Sequence, residues 1–153
     1  MTYCVDTSAL MDGWRRWYPH EAFPSLWKEL ENLVAGGELI APDEVLEELK
    51  KKEDDLFKWA KSQKKLFHVL DAETQVALRE VMAQFPRLVN TQKERSTADP
   101  VVIALARVKS FAVITGEKAA GNDARPRIPN VCDFYSVRHL TLPELIRERR
   151  WRF

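Results

Sequence analysis

The chain has 153 residues, of which 45% are hydrophobic and 31% charged, and its formal net charge is +1. These values predict one globular domain and exclude a disordered chain or a uniformly basic nucleic-acid-binding protein. No apolar run approaches the roughly 18 residues of a membrane span, and the N-terminus lacks the basic segment of a signal peptide. Cys4 and Cys132 match no zinc or redox spacing, so we expect a cytoplasmic protein in a reducing compartment.

Apolar runs and helix signals alternate along the chain. A β-prone run ends at Asp6, and the helix that follows is stopped by Pro19. The glycine pair at 36–37 closes a second helix, and Pro42 stands in the first turn of a third. The predicted strands are residues 3–5, 39–41, 111–115 and 137–140. The predicted helices are residues 9–18, 26–35, 42–62, 71–85 and 99–108, with a last helix from residue 142 onward.

This alternation decides the expected fold. Strands that read as continuous apolar runs are typical of parallel sheets buried on both faces. We therefore predict a three-layer α/β/α domain with a mainly parallel central sheet of four to five strands. Residues 90–97 and 116–130 are predicted loops, and no repeat or linker divides residues 1–153, so a single domain is expected.

Polar residues follow two of the predicted strands. In an open parallel sheet, functional groups gather outside the carboxyl ends of the strands. Asp6 ends the first strand, and Thr115 and Glu117 follow the third. Asp99 begins a helix that can face the same crevice. Helix capping is the alternative role for Asp6, and for Asp99 before Pro100, whereas Glu117 is alternatively an exposed loop acid.

Three glutamates lie on the helix after the second strand, and helix geometry separates them. At about 100° per residue, Glu48 borders the apolar stripe of Val45 and Leu49, whereas Glu47 points away from it. Glu44 flanks the stripe at a greater angle. Glu48 is therefore the glutamate expected to lean into a crevice.

These acids have a common chemical meaning. The histidines, at positions 20, 68 and 139, show no ligand spacing, so the candidate ligands are oxygens, which suit Mg²⁺ or Mn²⁺ better than zinc. Converging carboxylates repel each other unless a cation neutralises them. Such a cluster can hold a metal, activate a water and stabilise a phosphate undergoing displacement.

Four segments in order resemble the motifs of the PIN-domain family. They are an apolar strand ending in Asp before Thr-Ser, a glutamate before a leucine on a helix, an Asp before an Ala-rich helix, and a Thr-Gly-Glu where the family has Thr-x-Asp. Their positions are residues 3–10, 42–49, 98–106 and 113–117. Residues 128–132 are similar to a longer branch of PIN-like proteins of uncharacterised function.

The resemblance implies a metal-dependent endoribonuclease, often the VapC-like toxin of a toxin–antitoxin pair. The implied metal ligands are Asp6, Glu48, Asp99 and Glu117. Because the fourth motif has Glu where Asp is commoner, Asp123 in the following loop is the alternative fourth acid. Thr7 or Thr115 would help to hold water or phosphate. An antitoxin partner and a homodimer are also implied by the family.

Basic side chains beside the expected crevice are suited to binding the RNA that the resemblance implies. Lys118, Arg125 and Arg127 lie in or near the loop after the third predicted strand, where they would draw in a phosphate backbone.

Two other readings compete with the nuclease. A PIN-like RNA-binding or scaffold protein without catalysis is the main alternative, and the presence of Asp6, Glu48 and Asp99 favours the enzyme. A phosphohydrolase on another α/β fold is the second alternative. The haloacid-dehalogenase type needs an Asp two positions after Asp6, and Ser8 stands there.

Overall fold

Five short strands form one parallel sheet in the computed structural model, which describes residues 1–88, 98–121 and 126–153. The strands are β1 (Tyr3–Val5), β2 (Leu39–Pro42), β3 (Phe67–His68), β4 (Ala112–Ile114) and β5 (His139–Leu140). Their order in the sheet is β3-β2-β1-β4-β5. Tyr3 pairs with Leu39 on one side and with Ala112 on the other, so β1 is the central strand.

Helices cover both faces of this sheet. They are α1 (Thr7–Asp12), a π-helical segment (Gly13–Trp17), α2 (Pro24–Ala35), α3 (Asp43–Lys50), α4 (Asp55–Ser62), α5 (Ala72–Gln84), α6 (Asp99–Lys109), α7 (Ile128–Phe134) and α8 (Leu142–Arg149). The chain moves outward from β1 to β3 and then crosses back to β4 and β5. Since parallel crossovers are right-handed, the helices before β3 lie on one face and α5 to α7 lie on the other. The predicted three-layer α/β/α fold with a parallel sheet is confirmed.

The core lies between the sheet and its helices. All of β1 and β4 is buried, which explains why these strands read as uninterrupted apolar runs. On one face, the fully buried Trp27 packs edge-to-face against Trp14 and Trp59, with ring centroids 4.8 and 5.0 Å apart. This aromatic cluster joins the π-helical segment to α2 and α4. None of the helices in the described ranges has both the length and the apolar character needed to cross a bilayer.

One predicted helix is wrong in its extent. Residues 42–62 were expected to form one helix, but α3 and α4 are separate. Glu53 adopts a positive φ of 44°, which no α-helix continues through. The Asp54 side chain then accepts a hydrogen bond from the backbone N–H of Phe57 at 3.1 Å and caps α4 as a new helix.

Two other elements were not expected. Phe67 and His68 form an edge strand of only two residues beside β2, too short to leave a periodic signal. Helix α7 begins inside the stretch predicted to be a loop from 116 to 130. The predicted loop at 90–97 lies outside the described residues.

Candidate functional site

The site is built where the chain reverses its direction across the sheet. Strands β1 and β4 are neighbours, but the crossovers that leave them run over opposite faces of the sheet. A crevice opens at such a switch point, at the carboxyl ends of the strands. Asp6 follows β1 and Thr115 follows β4, and the backbone N–H of Asp6 donates to the carbonyl of Ile114 at 3.0 Å. The two polar residues therefore stand side by side at this crevice.

The Asp6 carboxylate is buried and held by several donors. Its residue is only 1% exposed. Oδ1 accepts from the N–H of Ala9 at 2.8 Å, and Oδ2 accepts from the Thr115 hydroxyl at 2.7 Å and the Ser8 hydroxyl at 2.8 Å. The bond from Ala9 makes Asp6 the N-cap of α1, so its alternative role as a cap is real. Among the described residues, no Lys, Arg or His forms a salt bridge with Asp6.

Burial makes this carboxylate costly to ionise. Desolvation raises the pKa of Asp6 from 3.8 to about 7, although the hydrogen bonds from Thr115, Ala9 and Ser8 lower it. The negative charge of Glu117 is the smallest contribution to the same rise. A cation at this position would offset both the desolvation and the repulsion.

A second polar pair links α1 to α3. Thr7 is 7% exposed and its hydroxyl donates to the Glu48 carboxylate, which belongs to a residue that is 8% exposed. Glu47 is exposed and Glu44 half-buried, so Glu48 is the most buried of the three glutamates, as helical spacing predicted. Thr7 immediately follows Asp6, and this pair therefore borders the buried aspartate.

A turn after β4 carries Glu117. Ser8 Oγ accepts from the N–H of Gly116 at 3.0 Å, and Thr115 Oγ1 accepts from the N–H of Glu117 at 3.0 Å. The Glu117 carboxylate in turn accepts from the first N–H of α7, that of Ile128, at 3.1 Å. Glu117 is thus half-buried and tied to a helix, and it is not a free loop acid. The alternative acid Asp123 lies outside the described residues, as does Arg125.

Asp99 lies at the same edge of the sheet by topology. Helix α6 runs antiparallel to β4, which follows it after a short turn, so its first residue lies near the carboxyl ends of the strands. The Cys4 thiol donates to the carbonyl of Val102 at 3.8 Å, one helical turn beyond Asp99. Asp99 is half-buried and is the first helical residue, with Ala98 in the N-cap position. The predicted capping position of Asp99 is therefore wrong by one residue.

Two contributors were missed from the sequence. Ser8 bonds both Asp6 and Gly116, and Asp12 lies so close that a Cβ at Gly116 would come within 2.6 Å of its Oδ2. A side chain at position 116 would force the Asp12 carboxylate to move. The available signal was spacing, because residues four apart on α1 share a face and Ser8 already followed the key aspartate.

The donor set suits a hard divalent cation. Its atoms are carboxylate and hydroxyl oxygens, the ligands that Mg²⁺ and Mn²⁺ prefer. Burial, then the charges of Asp133, Asp6 and Glu117, raise the pKa of the Cys132 thiol to about 12, so it stays protonated in the metal-free protein. Across residues 1–88, 98–121 and 126–153, no three acidic, histidine or cysteine side chains converge closely enough to hold one ion together. The structure thus pairs Asp6 with Thr115 and Thr7 with Glu48, and sets Glu117 beside Asp6. Lys118 and Arg127 are exposed after β4.

The sheet order and the layers define an α/β fold of the PIN-like class. A chain in the crystal structure of VapBC2 from Rickettsia felis, bound to a DNA fragment from their promoter, superposes with a TM-score of 0.54 at 11% sequence identity. The match covers 92% of this chain and 98% of that one. Residues 3–153 match the family described as "Domain of unknown function (DUF4411)", and the chain belongs to that family. No curated protein sequence matches it.

Proposed function

We propose that this chain is an endoribonuclease that depends on Mg²⁺ or Mn²⁺ and hydrolyses RNA phosphodiesters. The observation that carries the proposal is the Asp6 carboxylate, buried at the switch point of a PIN-like sheet among hydroxyl donors and other acids. A buried carboxylate that forms no salt bridge with any described Lys, Arg or His is costly for a fold to keep. A bound divalent cation would offset the cost of burying this negative charge.

Each acid has a role in this proposal. Asp6, Glu48 and Asp99 would hold the metal, with Glu117 as the fourth acid, and a bound cation would have to draw these side chains closer together than they stand in the metal-free protein. When bound, a divalent cation supplies a lowered pKa for its water and a Lewis acid for the phosphate oxygen. The Thr115 hydroxyl fixes the orientation of the Asp6 carboxylate, as its 2.7 Å bond supports.

RNA would approach over the segment after β4. Lys118 and Arg127 are exposed there, and their charges would attract a phosphate backbone toward the acids. Arg125 belongs to the same proposed surface. Because net charge is only +1, binding would depend on this local patch and would weaken as salt rises.

We further propose that the chain is a cytoplasmic toxin with a cognate antitoxin, and that it forms a homodimer. The support is the fold shared with a chain of VapBC2, whose crystal structure contains a DNA fragment from their promoter. Co-expression with the product of a neighbouring gene tests the partner: it should copurify with this chain and suppress cleavage. Independent elution of both proteins would reject the antitoxin and leave the nuclease intact.

Cleavage of a mixed RNA pool tests the activity itself. The wild type should cut in Mn²⁺ or Mg²⁺ and stop in chelator. Asp6→Asn and Asp99→Asn should each lose more than about 100-fold, since even the outer partners of metal ligands cost 10–100-fold. Asp55→Asn, at an exposed acid of α4, is the matched control and should cut normally.

The rival binding protein gives a different result in that assay. If the chain is a PIN-like scaffold, the RNA should stay uncut with wild type and with all three variants, and chelator should change nothing. Equal cutting by wild type, Asp6→Asn and Asp99→Asn would instead place the active site elsewhere.

A further inference from the structure

A second concavity lies away from the acidic residues. It has a volume of about 570 Å³ and opens between the C-terminal ends of α2 and α6, the first half of β2 and the segment that leads into β3. Pockets for small ligands commonly measure about 300–1,000 Å³. None of the residues that line it belongs to the proposed metal site.

The polar part of this concavity is cationic. Lys64, Lys65 and Lys109 line it together, and no Asp or Glu is among the described residues of its wall. Neither Lys64 nor Lys65 forms a salt bridge with a described residue. Lys109 Nζ lies 3.7 Å from Asp71, with the two side chains 43% and 50% exposed, so this pair is weak and the lysine can turn inward. Three lysines in a cavity whose described wall contains no Asp or Glu would attract an anion.

The apolar part of the concavity is aromatic. Phe67 and Phe111 line it, are half-buried and pack against the core, while the buried Val34 and Ile40 line its inner side. The ring of His68 also lines the cavity, and its Nε2 lies 3.2 Å from the carbonyl of Lys65. Planar rings stack favourably on such aromatic surfaces. The wall thus offers an aromatic surface beside a cluster of ammonium groups.

We propose that this concavity binds a nucleoside monophosphate group, with its base against Phe67 and Phe111 and its phosphate on the lysines. The same chemistry comes either from a free mononucleotide or from the phosphorylated end of an RNA strand. The site is separate from the proposed nuclease centre and does not depend on it.

Calorimetric titration in EDTA tests the proposal without metal or cleavage. The probes are adenosine 5′-monophosphate, adenosine, inorganic phosphate and a short RNA with or without a 5′-phosphate. The monophosphate should bind at least about tenfold more tightly than adenosine or phosphate alone, because each of those fills only one half of the site. Tighter binding of the phosphorylated RNA than of both its unphosphorylated form and the mononucleotide identifies a strand end as the source, and tighter binding of the mononucleotide than of either RNA identifies a free nucleotide.

Two variants separate charge from shape. Lys64→Ala with Lys65→Ala should weaken binding about tenfold or more, because hydrogen bonds to charged groups are lost. Ala35→Trp fills the cavity from an exposed lining position and should block binding while the lysines remain. Lys58→Ala, an exposed lysine of α4 outside the cavity, should bind normally. No binding of the monophosphate or the phosphorylated RNA by wild type, or equal loss in the Lys58 control, would overturn the proposal.

Discussion

The hydroxyl of Thr115 donates to Oδ2 of Asp6 at 2.7 Å and joins the ends of β4 and β1 across the central sheet. Both residues are 1% exposed, so neither polar group can exchange its partner for water. The bond orients the Asp6 carboxylate. It also lowers the pKa of Asp6, which burial raises, and so favours the ionised form. Thr115 is therefore a positioning residue for Asp6.

Thr115→Val should show how much this hydrogen bond contributes to the free energy of unfolding. The variant has nearly the same shape but no donor, so we expect a loss of about 1–3 kcal/mol in the free energy of unfolding. Thr115→Ser keeps the hydroxyl and should recover most of the loss. Urea denaturation of the three proteins gives the comparison, and a valine variant as stable as wild type would mean that the bond is not formed.

The stability of the metal-free protein should depend on pH through Asp6. Its pKa is about 7 in the folded protein and about 3.9 when unfolded, so between these values the folded state holds a proton that the unfolded chain has lost. The contribution of Asp6 to the free energy of unfolding therefore falls as pH rises from about 4 to about 7, and stays low above that.

Asp6→Asn should remove this decline, because asparagine also caps helices and does not ionise. In EDTA we expect the variant to be more stable than wild type at about pH 8, by a few kcal/mol in order of magnitude, and to lose this advantage at about pH 4. Denaturation curves of both proteins at the two pH values measure the difference. A constant difference across pH would show that Asp6 titrates normally.

A side chain at Gly116 should destabilise the protein. A Cβ there would lie 2.6 Å from Asp12 Oδ2, so the Asp12 side chain must move, and 3.1 Å from the backbone carbonyl of Ser8, which must give by a few tenths of an ångström. We expect Gly116→Ala to lose about 1–3 kcal/mol of stability and to displace the hydroxyls that orient Asp6. Gly121→Ala is the matched control, since nothing lies within 4 Å of its Cβ. Thermal melts of both variants decide the matter, and equal melting temperatures would refute the close approach.

The affinity for Mn²⁺ should also depend on the Thr7 hydroxyl. Glu48 is held by the Thr7 hydroxyl, so Thr7→Val should weaken Mn²⁺ binding by about 10–100-fold, the usual cost of losing an outer partner of a ligand. Thr7→Ser keeps the hydroxyl and should bind nearly as wild type does. Calorimetry with Mn²⁺ tests this. Equal affinities in the valine and serine variants would exclude a positioning role for Thr7.

Periodicity and punctuation predicted the elements that build the crevice. The buried run before Asp6, the helix after Asp99 and the inward face of Glu48 all follow from local patterns of apolar residues. The break at Glu53 did not, because its neighbours Lys51 and Lys52 read as ordinary helix formers.

Contacts distant in sequence account for the other differences. Helix α7 starts where a glutamate eleven residues earlier accepts the N–H of Ile128, and Asn130 Oδ1 accepts from the N–H groups of Ala120 and Arg127 at 2.8 and 3.0 Å. The composition of this stretch predicts a loop because two of these three partners lie ten or eleven residues away, beyond the reach of a local helix signal. The approach of Asp12 to Gly116 is likewise visible only once β1 and β4 are neighbours.

Binding of Mn²⁺ to the folded protein tests the central claim most directly. At 100 times its dissociation constant a ligand adds about 2.7 kcal/mol of stability, or about 5–10 °C in melting temperature for a chain of this size. Wild type and the Asp55→Asn control should show this rise with Mn²⁺ and not with Na⁺ at equal ionic strength, and Asp6→Asn should lose most of it. A rise of equal size in Asp6→Asn, or none in wild type, would contradict a metal centre at Asp6.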